Sequence, residues 1–201
     1  MIEAAESLFG SLGVEGVSTR QLAAAIGSSN TNVVAYYFGK KEALVEAVYR
    51  HRLPEIDRRR GELLGEAISM GQADDLAVLV RAFAQPLFEQ TDREGRHSYA
   101  RFVAAIERSG LISTRGQVEA DFPETAALIQ QITASLENGS ASATSNEVRI
   151  RLRLAMALIV SALQIADQRD DATGETRSVF DTALAMATAG LAAPVISSKI
   201  D

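Results

Sequence analysis

Apolar residues recur along this chain at intervals of three and four, and alternating apolar and polar runs are nearly absent, so the pattern predicts an all-helical fold. The first helix shows it at Ala5, Leu8, Phe9 and Leu12, with Gly13 as its stop. Ser18 opens a second helix, predicted over Thr19 to Ile26 with Leu22, Ala23 and Ile26 inward; Gln21 can return the Ser18 hydrogen bond in a capping box. Gly27 suits the left-handed turn that follows. A third helix is predicted over roughly Thr31 to Phe38, capped by Ser29 or Asn30. Val34 and Phe38 then fall on one face and close a three-helix core against Phe9 and Leu22, and the short Gly-Ser-Ser link is about what one helix needs to turn across another. The stretch from Ser18 to Lys41, STRQLAAAIGSSNTNVVAYYFGKK, therefore looks like a helix-turn-helix.

The same periodicity carries on. A longer helix begins at Lys40, with Leu44, Val48 and Tyr49 inward, and Pro54 is expected to kink or break it near Arg50. Leu63, Leu64, Ala67 and Ile68 continue the apolar face up to Gly71. Asp74 is a candidate cap for a fifth helix with the stripe Leu76, Val80, Phe83 and Leu87, and Pro86 inside it frees the carbonyl of Ala82. A sixth, about His97 to Arg108, groups Tyr99, Phe102, Val103 and Ile106. Residues 110 to 123 are ambiguous, and Phe122-Pro123 starts another helix running to about Glu137. The small polar run Asn138 to Ser145 reads as a loop, with Thr144 and Glu147 as a second capping box. The helix after it is apolar on nearly all sides from Leu154 to Ile165, which requires burial on two sides. The last, about Glu175 to Ala193, mixes Phe180, Leu184 and Leu191 with small residues that admit a neighbouring helix closely. Covering both asks more than one monomer offers, so a symmetric homodimer is predicted, its four-helix bundle built from the last two helices of each chain with Leu158, Ala162, Ile165, Ala183, Ala187 and Gly190 at the interface. The expected architecture is all-α, about nine helices, with a helix-turn-helix head over 1–48 and a larger body over 49–201.

Charge changes the picture in one place. The net charge is −6, yet residues 1–60 carry eight Lys or Arg against seven Asp or Glu. Between Gly16 and Lys41 the charged residues are Arg20, Lys40 and Lys41, with no carboxylate, as suits a segment that approaches phosphates. Asn30 and Asn32 can each pair bidentately with adenine, and Thr31, Val33 or Ala35 can touch a thymine methyl, each good bidentate pair discriminating by about 1–3 kcal/mol. The chain has no cysteine, which excludes disulfides and Cys-ligated metal. It has no run long enough to span a membrane, and a cytoplasmic protein is expected.

The residues AAESLF, a following glycine, STRQLAAAIG and YYFGKKEAL, spanning about Ile2 to Val48, resemble the TetR family of bacterial transcriptional regulators. That resemblance covers about a quarter of the chain. It implies a DNA-binding head in which Asn30 to Tyr36 form the recognition helix, with Asn30, Thr31, Asn32, Ala35 and Tyr36 toward the bases and Arg20, Tyr37 and Lys41 at positions that usually meet phosphates; Ser18 is counted with them among the DNA-binding residues. It also implies a ligand-binding and dimerising body, with repression the commoner outcome. There are departures from the family pattern. The segment from Gly27 to Phe38 is one residue longer than usual, Tyr37 stands where His is common, and Lys40 stands where Ser is common.

A dimer of such heads would read a palindromic operator on double-stranded DNA. Phe83, Leu87, Phe88, Tyr99, Phe102, Val103 and Ile106 are candidates to line an apolar cavity for a small-molecule effector, with Tyr99, Arg101 or His97 as polar anchors; the alternative is that they are simply core, with Arg101 and His97 solvated. The triplet Arg58 to Arg60 extends the DNA footprint or forms a solvated face. Two other classes stay open: a helical protein-interaction module, and a small-molecule-modifying enzyme. For the latter the sequence offers only His51 and His97, no zinc pattern, no glycine-rich phosphate loop and no cofactor motif, and the pairs Asp74-Asp75 and Asp170-Asp171 read as helix caps.

Overall fold

A computed structural model describes residues 1–111, 121–139, 145–168 and 175–194. Among these residues are nine α-helices and no strand: α1 (Ile2–Leu12), α2 (Thr19–Ala25), α3 (Val33–Phe38), α4 (Lys41–Ser69), α5 (Leu76–Glu89), α6 (Ser98–Ser109), α7 (Pro123–Gly139), α8 (Ser145–Asp167) and α9 (Glu175–Ala192). The Thr144 half of the second capping box, the Asp170-Asp171 pair and residues 112–120 lie outside the described residues.

Two compact units are present, one formed by residues 1–59 with 86–126 and the other by 60–85 with 127–201. In the first, α1 packs against α6 and α2, and α2 against α3. Phe9, Leu22, Val34, Leu44, Val48, Tyr49, Phe102 and Ile106 are all buried, as the three-and-four spacing requires. Phe102 is the hub of an aromatic cluster, with ring centroids 6.4 Å from Phe9, 5.1 Å from Tyr49 and 5.9 Å from Tyr99. The approach of α1 to α6 is set by Gly10, where a Cβ would stand 3.0 Å from Arg101 Cβ and 3.1 Å from the Phe102 nitrogen. Beside that crossing, Glu6 is 1% exposed and takes two bonds from Arg52, at 2.6 and 3.0 Å, and one from the Ser98 hydroxyl at 2.6 Å. Hydrogen bonding to Glu6 raises the Arg52 guanidinium above its ordinary range, outweighing the opposing effect of burial. Asp57 of α4 accepts from the Thr125 amide at 2.7 Å and so caps α7 from another helix.

In the second unit α8 packs along α9, and Arg151 of α8 donates to the carbonyls of Leu191 and Ala193, which α9 leaves unpaired at its end. Arg60 is buried, donating to the Phe83 carbonyl at 3.0 Å with its guanidinium 4.1 Å from the Phe83 ring.

Several expectations are corrected. Pro54 does not break α4, which runs unbroken from Lys41 to Ser69. Pro54 and Arg50 are exposed, so the Arg50 carbonyl that loses its donor faces water, while buried Val48, Tyr49, Leu53 and Ile56 hold the inner face. The cap of α5 is Asp75, whose Oδ1 accepts from the amides of Ala77 and Val78, and not Asp74. Arg58 to Arg60 form neither a solvated face nor a footprint as a group: Arg58 pairs with Glu55, Arg59 with Glu89, and Arg60 is inside. His97 is 2% exposed rather than solvated. Ile68 is 60% exposed, off the inner face of α4.

Candidate nucleic-acid interface

Helix α2 begins at a complete capping box. The Gln21 amide donates to Ser18 Oγ at 3.2 Å, and Gln21 Oε1 accepts from the Ser18 amide at 2.8 Å and from its hydroxyl at 2.8 Å. Ser18 is therefore engaged in starting the helix. At the other end Gly27, at φ 69°, reverses the chain; its amide donates to Ala24 and that of Ser28 to Ala23, at 3.0 and 2.9 Å, closing the last turn.

The helix that follows starts later than the pattern predicts. Asn30 and Thr31 are not in it; α3 begins at Val33, with Asn32 at its N-cap. The reason is a pair of nested turns. The Asn30 amide donates to Ser28 Oγ at 3.1 Å, and the Asn32 amide donates to Asn30 Oδ1 at 3.0 Å. Short polar side chains that bond the backbone two residues on compete with helix in this way. The i, i+2 run Ser28, Asn30, Asn32 was the signal for these turns, and it accommodates the additional residue of this segment. Neither Ser29 nor Asn30 caps α3, and Asn32 makes no side-chain cap bond.

Val34 is buried and Phe38 half-buried, which fixes how α3 is rolled. With 3.6 residues per turn, Asn32 and Tyr36 lie opposite them and Ala35 to one side. All three are exposed, Tyr36 at 81%. Tyr37 is 67% exposed and meets the Tyr36 ring edge-on, with centroids 5.0 Å apart. The structure thus brings Asn32, Ala35, Tyr36 and Tyr37 to one surface and holds Asn30 and Thr31 in the turn before it.

Arg20 and Lys40 are exposed, and neither makes an ion pair among the described residues. Lys41 is half-buried, and its ammonium donates to the Val14 carbonyl at 3.0 Å, tying the start of α4 to the turn after α1 with two N–H groups left over. Among the described residues no group of three or more His, Asp or Glu could hold a metal ion, and no helix is long and apolar enough to cross a membrane.

The remaining candidates fall elsewhere. Phe83, Leu87, Tyr99, Phe102, Val103 and Ile106 are buried and Phe88 half-buried; His97 Nε2 lies 3.2 Å from the Phe88 carbonyl. Ala162, Ala183 and Ala187 are already buried within one chain, whereas Leu158 is half-buried and Ile165 and Gly190 are exposed. The clasp of Glu6, Arg52 and Ser98 was not foreseen, because its members lie 46 and 92 residues apart with no shared motif.

Residues 1–48 match the family model described as bacterial regulatory proteins, tetR family. Comparison with curated proteins gave no matching relative. The matched span contains α1, α2, α3 and the start of α4, and so includes the carboxylate-free segment from Gly16 to Lys41. Residues 1–48 are thus a TetR-type N-terminal domain, the DNA-binding head of a transcriptional regulator.

Proposed function

We propose that the protein is a cytoplasmic repressor that binds a palindromic operator as a homodimer and is released by a small-molecule effector. The observation that carries the reading is the outward face of α3: Asn32, Ala35 and Tyr36 exposed opposite the buried Val34, in a segment from Gly16 to Lys41 that holds only positive charge. Arg20, Tyr37 and Lys41 would meet phosphates and set register, and the α3 side chains would meet base edges. A functional head over 1–48 and a body over 49–201 remains our division of labour.

Dimerisation is supported by the α8–α9 pair. A largely apolar groove of about 270 Å³ runs between these helices, lined by Leu158, Ser161, Ile165, Val179, Thr182 and Met186 among others. Leu154, Ile165 and Met186 are 65%, 49% and 57% exposed, an apolar surface that a second copy would cover. Few charges in one head make binding by one copy weak, so pairing two heads is part of how the protein holds its site.

Effector release is supported by where the aromatic candidates sit. Tyr99 and Phe102 belong to the cluster that touches Phe9 of α1 and Tyr49 of α4, so a ligand that displaces either ring acts on helices of the head. A ligand shifts the equilibrium only by its differential affinity for the two arrangements. The test is binding of the purified protein to a selected DNA site before and after Asn32→Ala with Tyr36→Ala. The reading expects specific binding to vanish while weak, salt-sensitive binding persists. Unchanged specific binding would remove α3 as the reader.

A further inference from the structure

We infer that Asn32 is the amide that reads a base in each half-site, that the base is an adenine, and that Asn30 is a positioning residue that shapes the turn and reads nothing. The inference rests on the DNA-binding reading above. It separates two residues that are chemically identical and only two positions apart.

The separation comes from what each side chain already does. Bidentate recognition of adenine uses both ends of the carboxamide: the oxygen accepts from the N6 amino group and the nitrogen donates to N7. Asn30 Oδ1 is engaged by the Asn32 amide at 3.0 Å, and its own backbone amide is held by Ser28 Oγ at 3.1 Å. Its carboxamide is therefore oriented toward its own chain, and turning it to a base would undo the turn that starts α3. Asn32 makes no side-chain cap bond, and its carbonyl accepts the first helical bond, from the Tyr36 amide at 2.9 Å. That bond fixes the Asn32 backbone to the helix while its side chain remains available.

Placement agrees with availability. Asn32 and Tyr36 are four apart on the side of α3 opposite Val34 and Phe38, so both project the way the helix faces outward. Tyr36, its ring met edge-on by that of Tyr37, lies about one helical turn on from Asn32 on the same side of the helix. An amide beside an aromatic ring matches an adenine with a neighbouring thymine methyl in the major groove, so the half-site should contain such a step.

The experiment is selection from random double-stranded DNA with the full chain as wild type, Asn32→Ala, Asn30→Ala and Asn30→Ser, followed by titration of each variant on the wild-type consensus. Asn32→Ala should relax the preference for adenine at one position of each half-site and lower affinity for the consensus about tenfold or more. Asn30→Ala should weaken all sites alike and leave the consensus intact. Asn30→Ser, whose hydroxyl can accept from the Asn32 amide, should restore most of that loss, which a base-reading role would not permit. Loss of a base preference in Asn30→Ala with the consensus retained in Asn32→Ala would overturn the inference while leaving the protein a DNA reader. No consensus for the wild type at any salt would overturn the DNA-binding reading and this inference with it.

Discussion

Arg20 and Lys40 differ from Lys41 in what they are free to do. The first two are exposed, whereas the Lys41 ammonium is already bonded to Val14. Arg20→Ala is therefore expected to weaken DNA binding uniformly across sequences and to lower the slope of log affinity against log salt by about one per head, hence about two for a dimer on its full site. Lys41→Ala should do this and also lower the melting temperature, since it releases the turn after α1. Anisotropy titrations at several salt concentrations, with thermal melts of the same samples, separate the two. Residue types at this scale were legible from sequence, since the Asn, Tyr and basic positions could be named. Their division into readers and positioners was not, because Asn30 and Asn32 differ only in which hydrogen bonds the folded turn gives them.

Among the elements, α1 and α2 followed from pattern and capping alone, and α3 did not. A capping box is a local device whose two partners are three residues apart, so Ser18 and Gln21 announced the start of α2. Ser18→Ala should cost about 1 kcal/mol, read by urea or thermal unfolding. The start of α3 was decided by competition between helix and nested turns, both local and both compatible with the same polar residues. Pro54 does not break α4 because a proline's cost depends on which face it occupies, which the fold decides. Gly10 carried no signal as a helical glycine, yet it sets the crossing of α1 with α6. Gly10→Val should be among the most destabilising single changes in the head, since the atoms it meets include the backbone of α6. A melting temperature within a degree or so of wild type would contradict that packing.

Asp181 gives α9 a pH dependence of defined sign. Burial pushes its carboxyl up, but hydrogen bonds and charge from Arg81 and Arg177 outweigh this and hold it below the usual carboxylate range. A depressed folded value means the contribution is present above the unfolded pKa, about 4, and is lost as pH falls through the folded one. Asp181→Asn should therefore flatten the acid limb of the stability profile below about pH 4 and lower stability slightly at neutral pH, the groups being half exposed to solvent.

For the whole molecule, the all-helical architecture was readable because helical periodicity is repeated in every segment, while the clasp of Glu6, Arg52 and Ser98 was not, because it depends on distant parts of the chain meeting. Of the small residues of α9, Ala183 and Ala187 are buried within the same chain, whereas Ala185, Ala189 and Gly190 are exposed. The large apolar side chains that α8 and α9 leave exposed include Leu154, Ile165 and Met186, the surface we propose a second copy covers. Ile165→Glu with Met186→Glu should shift sedimentation from dimer to monomer, and DNA affinity should fall with it even though neither residue belongs to residues 1–48.

The account stands most directly on one measurement: selection of random double-stranded DNA by the purified wild-type chain at about physiological salt. Binding by paired α3 helices predicts enrichment of a two-fold symmetric sequence whose half-sites are centred about one helical turn, or a multiple of it, apart. Enrichment of nothing, or of an asymmetric site that Asn32→Ala with Tyr36→Ala leaves unchanged, would contradict it.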